Sequence, residues 1–175
     1  SALACAKKSY HSGRGEDAEF VIRWARQKFP QTKQVALGFS MSGSILLNLL
    51  TRRYGHEQPD VGIVVNAPLD LKSAASKLTE GVSRVYDLRF FFNLKKVIRK
   101  RQTDIQFPLV GRTLDIDQIY TAPVNHFKDR DDYYLNCSTK NFLDRIETKT
   151  FVLSAVDDPF IDVQDYLNGN WSESV

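Results

Sequence analysis

The run Val35-Ala-Leu-Gly-Phe-Ser40-Met-Ser-Gly-Ser-Ile-Leu-Leu-Asn-Leu-Leu50 constrains the fold more than any other stretch of the chain. It begins as a short apolar strand, turns sharply over Gly38–Gly43, and continues as an apolar helical pattern. A strand, a serine among small residues and a buried helix make the layout of a nucleophile elbow. A serine hydroxyl is a weak nucleophile and must project clear of a sheet toward a base. The turn that exposes it brings strand and helix backbones close together, so small residues are needed on both sides of the serine. Gly38, Ser42 and Gly43 supply them. The following helix aims its first N–H groups at the place where an oxyanion would form. The pattern departs from G-x-S-x-G at Ser42, with glycine one place later. A plain turn between strand and helix in any α/β protein is the alternative reading. A phosphate-binding Walker loop is excluded, because no lysine follows the glycines.

The 175 residues suffice for one domain with a sizeable core. With 42% hydrophobic and 26% charged residues the composition is that of a soluble globular protein. A net charge of +3 is too mild to argue for nucleic acid. Two cysteines, Cys5 and Cys137, make no disulfide framework and no metal spacing, and fit a reducing, cytoplasmic compartment. No apolar run approaches membrane-spanning length. The first residue is Ser1, which leaves room for a longer parent protein.

Glu16 and Asp17 suit a first helical turn. Phe20, Val21, Trp24, Ala25 and Phe29 then recur at helical spacing, so residues 17–29 are expected to be an amphipathic helix that Pro30 ends. The helix after the elbow should reach about Arg53, with Gly55 closing it. Val61–Val65 reads as a second buried strand closed by Asn66-Ala67-Pro68, and Thr150–Val156 as a third, closed by Asp157-Asp158-Pro159-Phe160. Continuous apolar strands alternating with helices predict a parallel sheet covered on both faces. Residues 71–146 are helical, aromatic and basic, too long for a simple crossover, and read as a helical cap or lid insertion. Residues 161–175 read as a helix start and a polar tail.

Several stretches together resemble the YheT-like branch of the α/β-hydrolase superfamily, which includes abhydrolase-domain lipid esterases. They are Tyr10-His-Ser-Gly13 with Glu16-Asp17, Gly38-Phe-Ser-Met-Ser-Gly43, Pro68-Leu-Asp-Leu71, Tyr120-Thr-Ala-Pro123, Phe127-Lys128 with Asp132-Tyr-Tyr134, and Asp157-Asp-Pro-Phe160. The resemblance implies an α/β-hydrolase fold, here truncated at both ends, and a Ser–Asp–His triad in that chain order. Ser40 matches the nucleophile and the Met41 N–H the oxyanion donor. The acid matches Asp158, with Asp157 as the alternative and Asp70, after the preceding strand, as a third candidate. No histidine follows Asp158. His11, His56 and His126 all precede it, His11 in a stretch where a loop hydrogen bond is the expected role. The triad histidine is therefore expected outside this chain.

The implied activity is hydrolysis of carboxylic esters of hydrophobic acyl or lipid substrates, with acyl transfer to an alcohol and an inactive α/β-hydrolase fragment as alternatives. No cofactor or metal is implied. Arg89–Arg101 is aromatic and basic. It is expected to be a cap helix with an apolar inner face and a solvated cationic outer face, the alternative being a lid touching a membrane surface or an acyl chain. Asp129, Asp131 and Asp132 lack the glycine and glutamate of a calcium loop and mark a helix start.

Overall fold

In the computed structural model, residues 9–101 and 104–175 are described; Cys5 lies outside them. Three strands, β1 (Val35–Phe39), β2 (Val61–Val65) and β3 (Thr150–Leu153), form one parallel sheet in the order β1-β2-β3. The register aligns Leu37 with Ile63 and Ile63 with Phe151, and ends with Phe39, Val65 and Leu153 abreast. All three carboxyl ends therefore open onto one edge, where open α/β sheets bind ligands.

Helix α1 (Gly15–Lys28) precedes β1, and α2 (Met41–Leu50) follows it without an intervening loop. Every residue of α2 from Gly43 to Leu50 is buried. Leu46, Leu47 and Leu50 pack on Val64, Ala67 and Leu69 in the main core, which Leu143, Ile146 and Tyr166 complete. Between β2 and β3 run α3 (Leu71–Leu78), α4 (Ser83–Arg99), and an irregular helix made of α5 (Thr113–Ile116), a π turn (Asp117–Thr121) and α6 (Ala122–Val124). Helix α7 (Arg130–Cys137) and a 3₁₀ segment (Lys140–Arg145) complete that stretch. Asp129 caps α7 by accepting from the Asp132 amide at 2.8 Å, so the three aspartates do mark a helix start. Helix α8 (Val163–Leu167) closes the fold, its Tyr166 hydroxyl donating to the Ala67 carbonyl at 2.6 Å. The polar tail returns to the sheet, with the Thr150 amide donating to the Ser174 carbonyl at 2.8 Å.

Three differences from the expectations have physical reasons. β3 stops at Leu153, because the Ala155 amide bonds a side chain, Asn66, instead of a neighbouring strand. Among the described residues the sheet is covered on one face only. Val35, Leu37, Phe39, Phe151 and Leu153 alternate onto the other face and are each more than half exposed. Helix α1 forms, yet Phe20, Val21, Trp24 and Phe29 lie outward, and Ile22 is its buried apolar contact. The Lys28 ammonium of the same helix lies over the Trp24 and Phe29 rings, 5.0 and 5.7 Å from their centroids.

Helix α4 also differs from a two-faced helix. Its buried stripe is Ser83, Asp87, Phe91, Lys95 and Ile98. Lys95 is held by the carbonyls of Pro108 and Leu109, and Asp87 by the Thr113 amide at 2.8 Å. Tyr86, Phe90, Leu94 and Val97 remain partly exposed on one flank, and Val85, Leu88 and Phe92 on the other.

Candidate active site

Ser40 sits between β1 and α2 with φ 50° and ψ −127°. A non-glycine residue with that backbone is strained by about 1–3 kcal/mol and persists only where its surroundings hold it. Three contacts do so. The Ser40 amide donates to the Val65 carbonyl at 2.9 Å. The Ser42 hydroxyl donates to the Phe39 carbonyl at 2.7 Å and accepts from the Phe39 amide at 3.0 Å. The third is the close approach of strand and helix: a Cβ on Gly38 would lie 2.7 Å from the Gly43 Cα and from the Ser42 carbonyl oxygen. Glycine is required at 38 for that reason. Ser42, standing where the usual pattern has glycine, ties the turn with its hydroxyl. Ser40 itself is exposed, and the Met41 amide opens the helix beside it.

The acid turn lies across the sheet edge. Asp158 Oδ1 accepts from the amides of Phe160 at 2.8 Å and Ile161 at 3.0 Å. Its Oδ2 accepts from Asn66 Nδ2 at 2.7 Å. The hydrogen bonds that shape this turn go to Asp158, whereas Asp157 is exposed. Asp70 is committed elsewhere. It caps α3 by accepting from the amides of Lys72 and Ser73, and it pairs with the Lys140 ammonium. Partial burial acts to raise its pKa, but Lys140 and the two amides outweigh it and hold the carboxyl below the usual range.

Asn66 is the residue the sequence reading passed over as a strand terminator. It has φ 46°, a left-handed backbone that asparagine tolerates better than most residues. Its amide donates to the Leu153 carbonyl at 2.9 Å and its Oδ1 accepts from the Ala155 amide at 2.8 Å. An asparagine directly after a buried parallel strand, at the carboxyl edge, was the available signal.

The hydrogen bonds to the Asp158 carboxylate come from Asn66, Phe160 and Ile161, not from a histidine. His11 is buried, accepts from the Gly13 amide at 3.1 Å through Nδ1, and lies edge-on to Phe127 and Tyr133. His56 and His126 are exposed, His126 in a turn with φ 66°. No group of three or more His, Cys, Asp or Glu suited to a metal occurs among the described residues.

The sequence is similar to those of known proteins. The chain is 34% identical over 166 residues to an Escherichia coli (strain K12) protein, YheT, that its name assigns to the esterases; the match covers 89% of this chain and 48% of that protein. It is 25% identical to a Saccharomyces cerevisiae monoacylglycerol lipase, covering 87% of this chain and 37% of the lipase. It is 26% identical to the Caenorhabditis elegans protein abhd-3.2, covering 90% of this chain and 44% of that protein. The chain is a homologue of the YheT-like and abhydrolase-domain proteins of the α/β-hydrolase superfamily. It spans less than half the length of each of these relatives. No family model and no solved structure matches it.

The stretches that carry the YheT-like resemblance divide between the sheet edge and a buried node. Ser12 Oγ lies 2.9 Å from the Tyr133 hydroxyl, and Asn48 Nδ2 donates to the carbonyls of Ser12 and Cys137 at 3.1 and 2.9 Å. Tyr10–Gly13, α2 and α7 are joined there by these hydrogen bonds and by the edge-on packing of His11 on Tyr133. Burial pushes the Cys137 thiol up to about 12, which leaves it an inert packing group. These motifs hold the helices around the elbow; they present no reactive atom.

Proposed function

We propose that this chain carries the nucleophile and acid of a carboxylic ester hydrolase acting on hydrophobic acyl or lipid esters. The observation that carries the reading is the strained, exposed Ser40 opposite an Asp158 carboxylate that is oriented on both oxygens. Ser40 Oγ attacks the ester carbonyl carbon and gives its proton to a histidine that Asp158 orients, a histidine outside these 175 residues. The Met41 N–H receives the oxyanion. The C–O bond to the alcohol breaks, the alcohol takes the proton from the imidazolium, and the acyl group remains on Ser40. Water, giving a proton to the same histidine, attacks the acyl carbon; the bond to Ser40 Oγ breaks, the imidazolium returns the proton to Oγ, and the acid is released. The esterase and lipase names of the relatives support this class.

The hydrophobic substrate rests on α4. Tyr86 and Phe90 stand edge-on to Phe160, at 5.4 and 6.2 Å between ring centroids, two residues from Asp158. Leu94 and Val97 extend that apolar stripe away from the acid turn. Residues 71–146 serve in this reading as the cap over the sheet edge. Arg84, Arg89, Lys96, Arg99 and Lys100 make no ion pair among the described residues. They favour contact with an anionic membrane surface, whose attraction is worth about 1 kcal/mol per cation. No helix among the described residues is long and apolar enough to cross a membrane.

The test is steady-state hydrolysis of p-nitrophenyl esters by the full-length protein and its Ser40→Ala variant. Turnover that vanishes in the variant supports the reading, and unchanged turnover contradicts it. Product analysis with added alcohol separates hydrolysis from acyl transfer. Co-sedimentation with phosphatidylserine vesicles at low and high salt tests the membrane contact, which salt should weaken.

A further inference from the structure

We propose that Asn66 is a positioning residue that sets the Asp158 carboxylate against the elbow; this rests on the serine hydrolase reading above. The elbow and the acid turn belong to different strands, β1 and β3, and β2 separates them. Asn66 directly follows β2 and reaches the acid side, while Val65, the last residue of β2, holds the elbow side. The residue before it, Val65, accepts the Ser40 amide at 2.9 Å, and its own side chain reaches Asp158 at 2.7 Å and Ala155 at 2.8 Å. Two adjacent residues, Val65 by its carbonyl and Asn66 by its side chain, thus link nucleophile and acid through β2.

The chemistry of the amide suits the place. Its N–H₂ faces a carboxylate and its carbonyl faces a backbone N–H, so each end meets its complement. Asp158 Oδ1 is filled by two amides, whereas Oδ2 takes the Asn66 bond and keeps a lone pair for an imidazole N–H. An aspartate at this position would set two carboxylates together, and only one could readily ionise. An alanine would lose the bonds and also oppose the left-handed backbone, φ 46°. Glycine keeps the backbone and loses only the side chain, which separates the two effects.

The experiment uses the full-length protein with Asn66→Gly and Asn66→Asp, beside wild type and Ser40→Ala. Asn66→Gly should lower kcat roughly tenfold to a hundredfold with KM little changed, since a small misplacement of a catalytic group has that effect. Asn66→Asp should remain active where the new carboxyl is protonated and can donate to Asp158. It should lose activity as that proton leaves, so a descending limb appears at a pH where wild type is flat. The second readout stands even if the glycine variant fails to fold, because the active plateau and the descending limb come from one folded variant. Wild-type kcat in Asn66→Gly, or an unchanged pH profile in Asn66→Asp, overturns the inference while leaving Ser40 as nucleophile. Absence of any Ser40-dependent turnover in wild type overturns both.

Discussion

The amide of Ser40 donates to the carbonyl of Val65 across 2.9 Å, so the strained turn of β1 is anchored on the last residue of β2. Parallel pairing continues one bond past Phe39, the final strand residue, and this extra bond carries the serine to the carboxyl edge. The relationship makes the elbow sensitive to how closely helix and strand approach.

Gly38→Ala is expected to destabilise the protein by about 1–3 kcal/mol, because the added Cβ meets backbone atoms that cannot turn aside. Gly43→Ala should cost less. Its Cβ meets the Ala67 Cβ at 2.7 Å, which cannot rotate aside, and the Gly38 carbonyl oxygen at 3.1 Å, but alanine regains about 1 kcal/mol of helix propensity there. Denaturant unfolding of the two variants gives the comparison.

Ser42→Ala removes both hydroxyl bonds to Phe39. A loss of roughly 0.5–1.5 kcal/mol in stability is expected, with Ser40 still open to acylation. Retained turnover in Ser42→Ala, against none in Ser40→Ala, separates the supporting serine from the nucleophile.

Asp158→Asn and Asp70→Asn should behave oppositely. In the proposed roles the first removes the anion that would orient the histidine, and it should lower kcat by several orders of magnitude. The second leaves turnover intact and weakens the Lys140 pair, a cost below about 1 kcal/mol for a pair this accessible. Because the folded-state pKa of Asp70 is lowered, its contribution is complete above the unfolded value of about 3.9 and is lost as pH falls through the folded value. Unfolding curves of wild type and Asp70→Asn should therefore converge in acid.

Leu94→Asp places a charge on the stripe that begins at Phe160. Long-chain esters should lose roughly tenfold or more in kcat/KM, and acetyl esters almost nothing, since each buried methylene is worth about 0.8 kcal/mol. A chain-length series of p-nitrophenyl esters measures it.

Much of the architecture was legible in residues alone. Val61–Val65 is a strand with the bounds its apolar run announces, and the glycines around Ser40 announce a close approach that the structure contains. The place of Asn66 after a buried strand marks it as an edge residue, but its partners lie 89 and 92 positions away and no local pattern encodes them. The open sheet face was illegible for a related reason. Val35, Leu37 and Phe39 carry the pattern of a buried strand whether or not a covering element is present. The stripe on α4 escaped a two-faced reading because Lys95 and Asp87 occupy its buried side, stabilised by backbone partners from elsewhere in the chain.

The most direct test of the central claim is fluorophosphonate labelling of the full-length protein, followed by mass spectrometry of its peptides. The account predicts one adduct, on Ser40, that disappears in Ser40→Ala and forms far more slowly in Asp158→Asn. An adduct on another serine, or full labelling that survives Ser40→Ala, would contradict it.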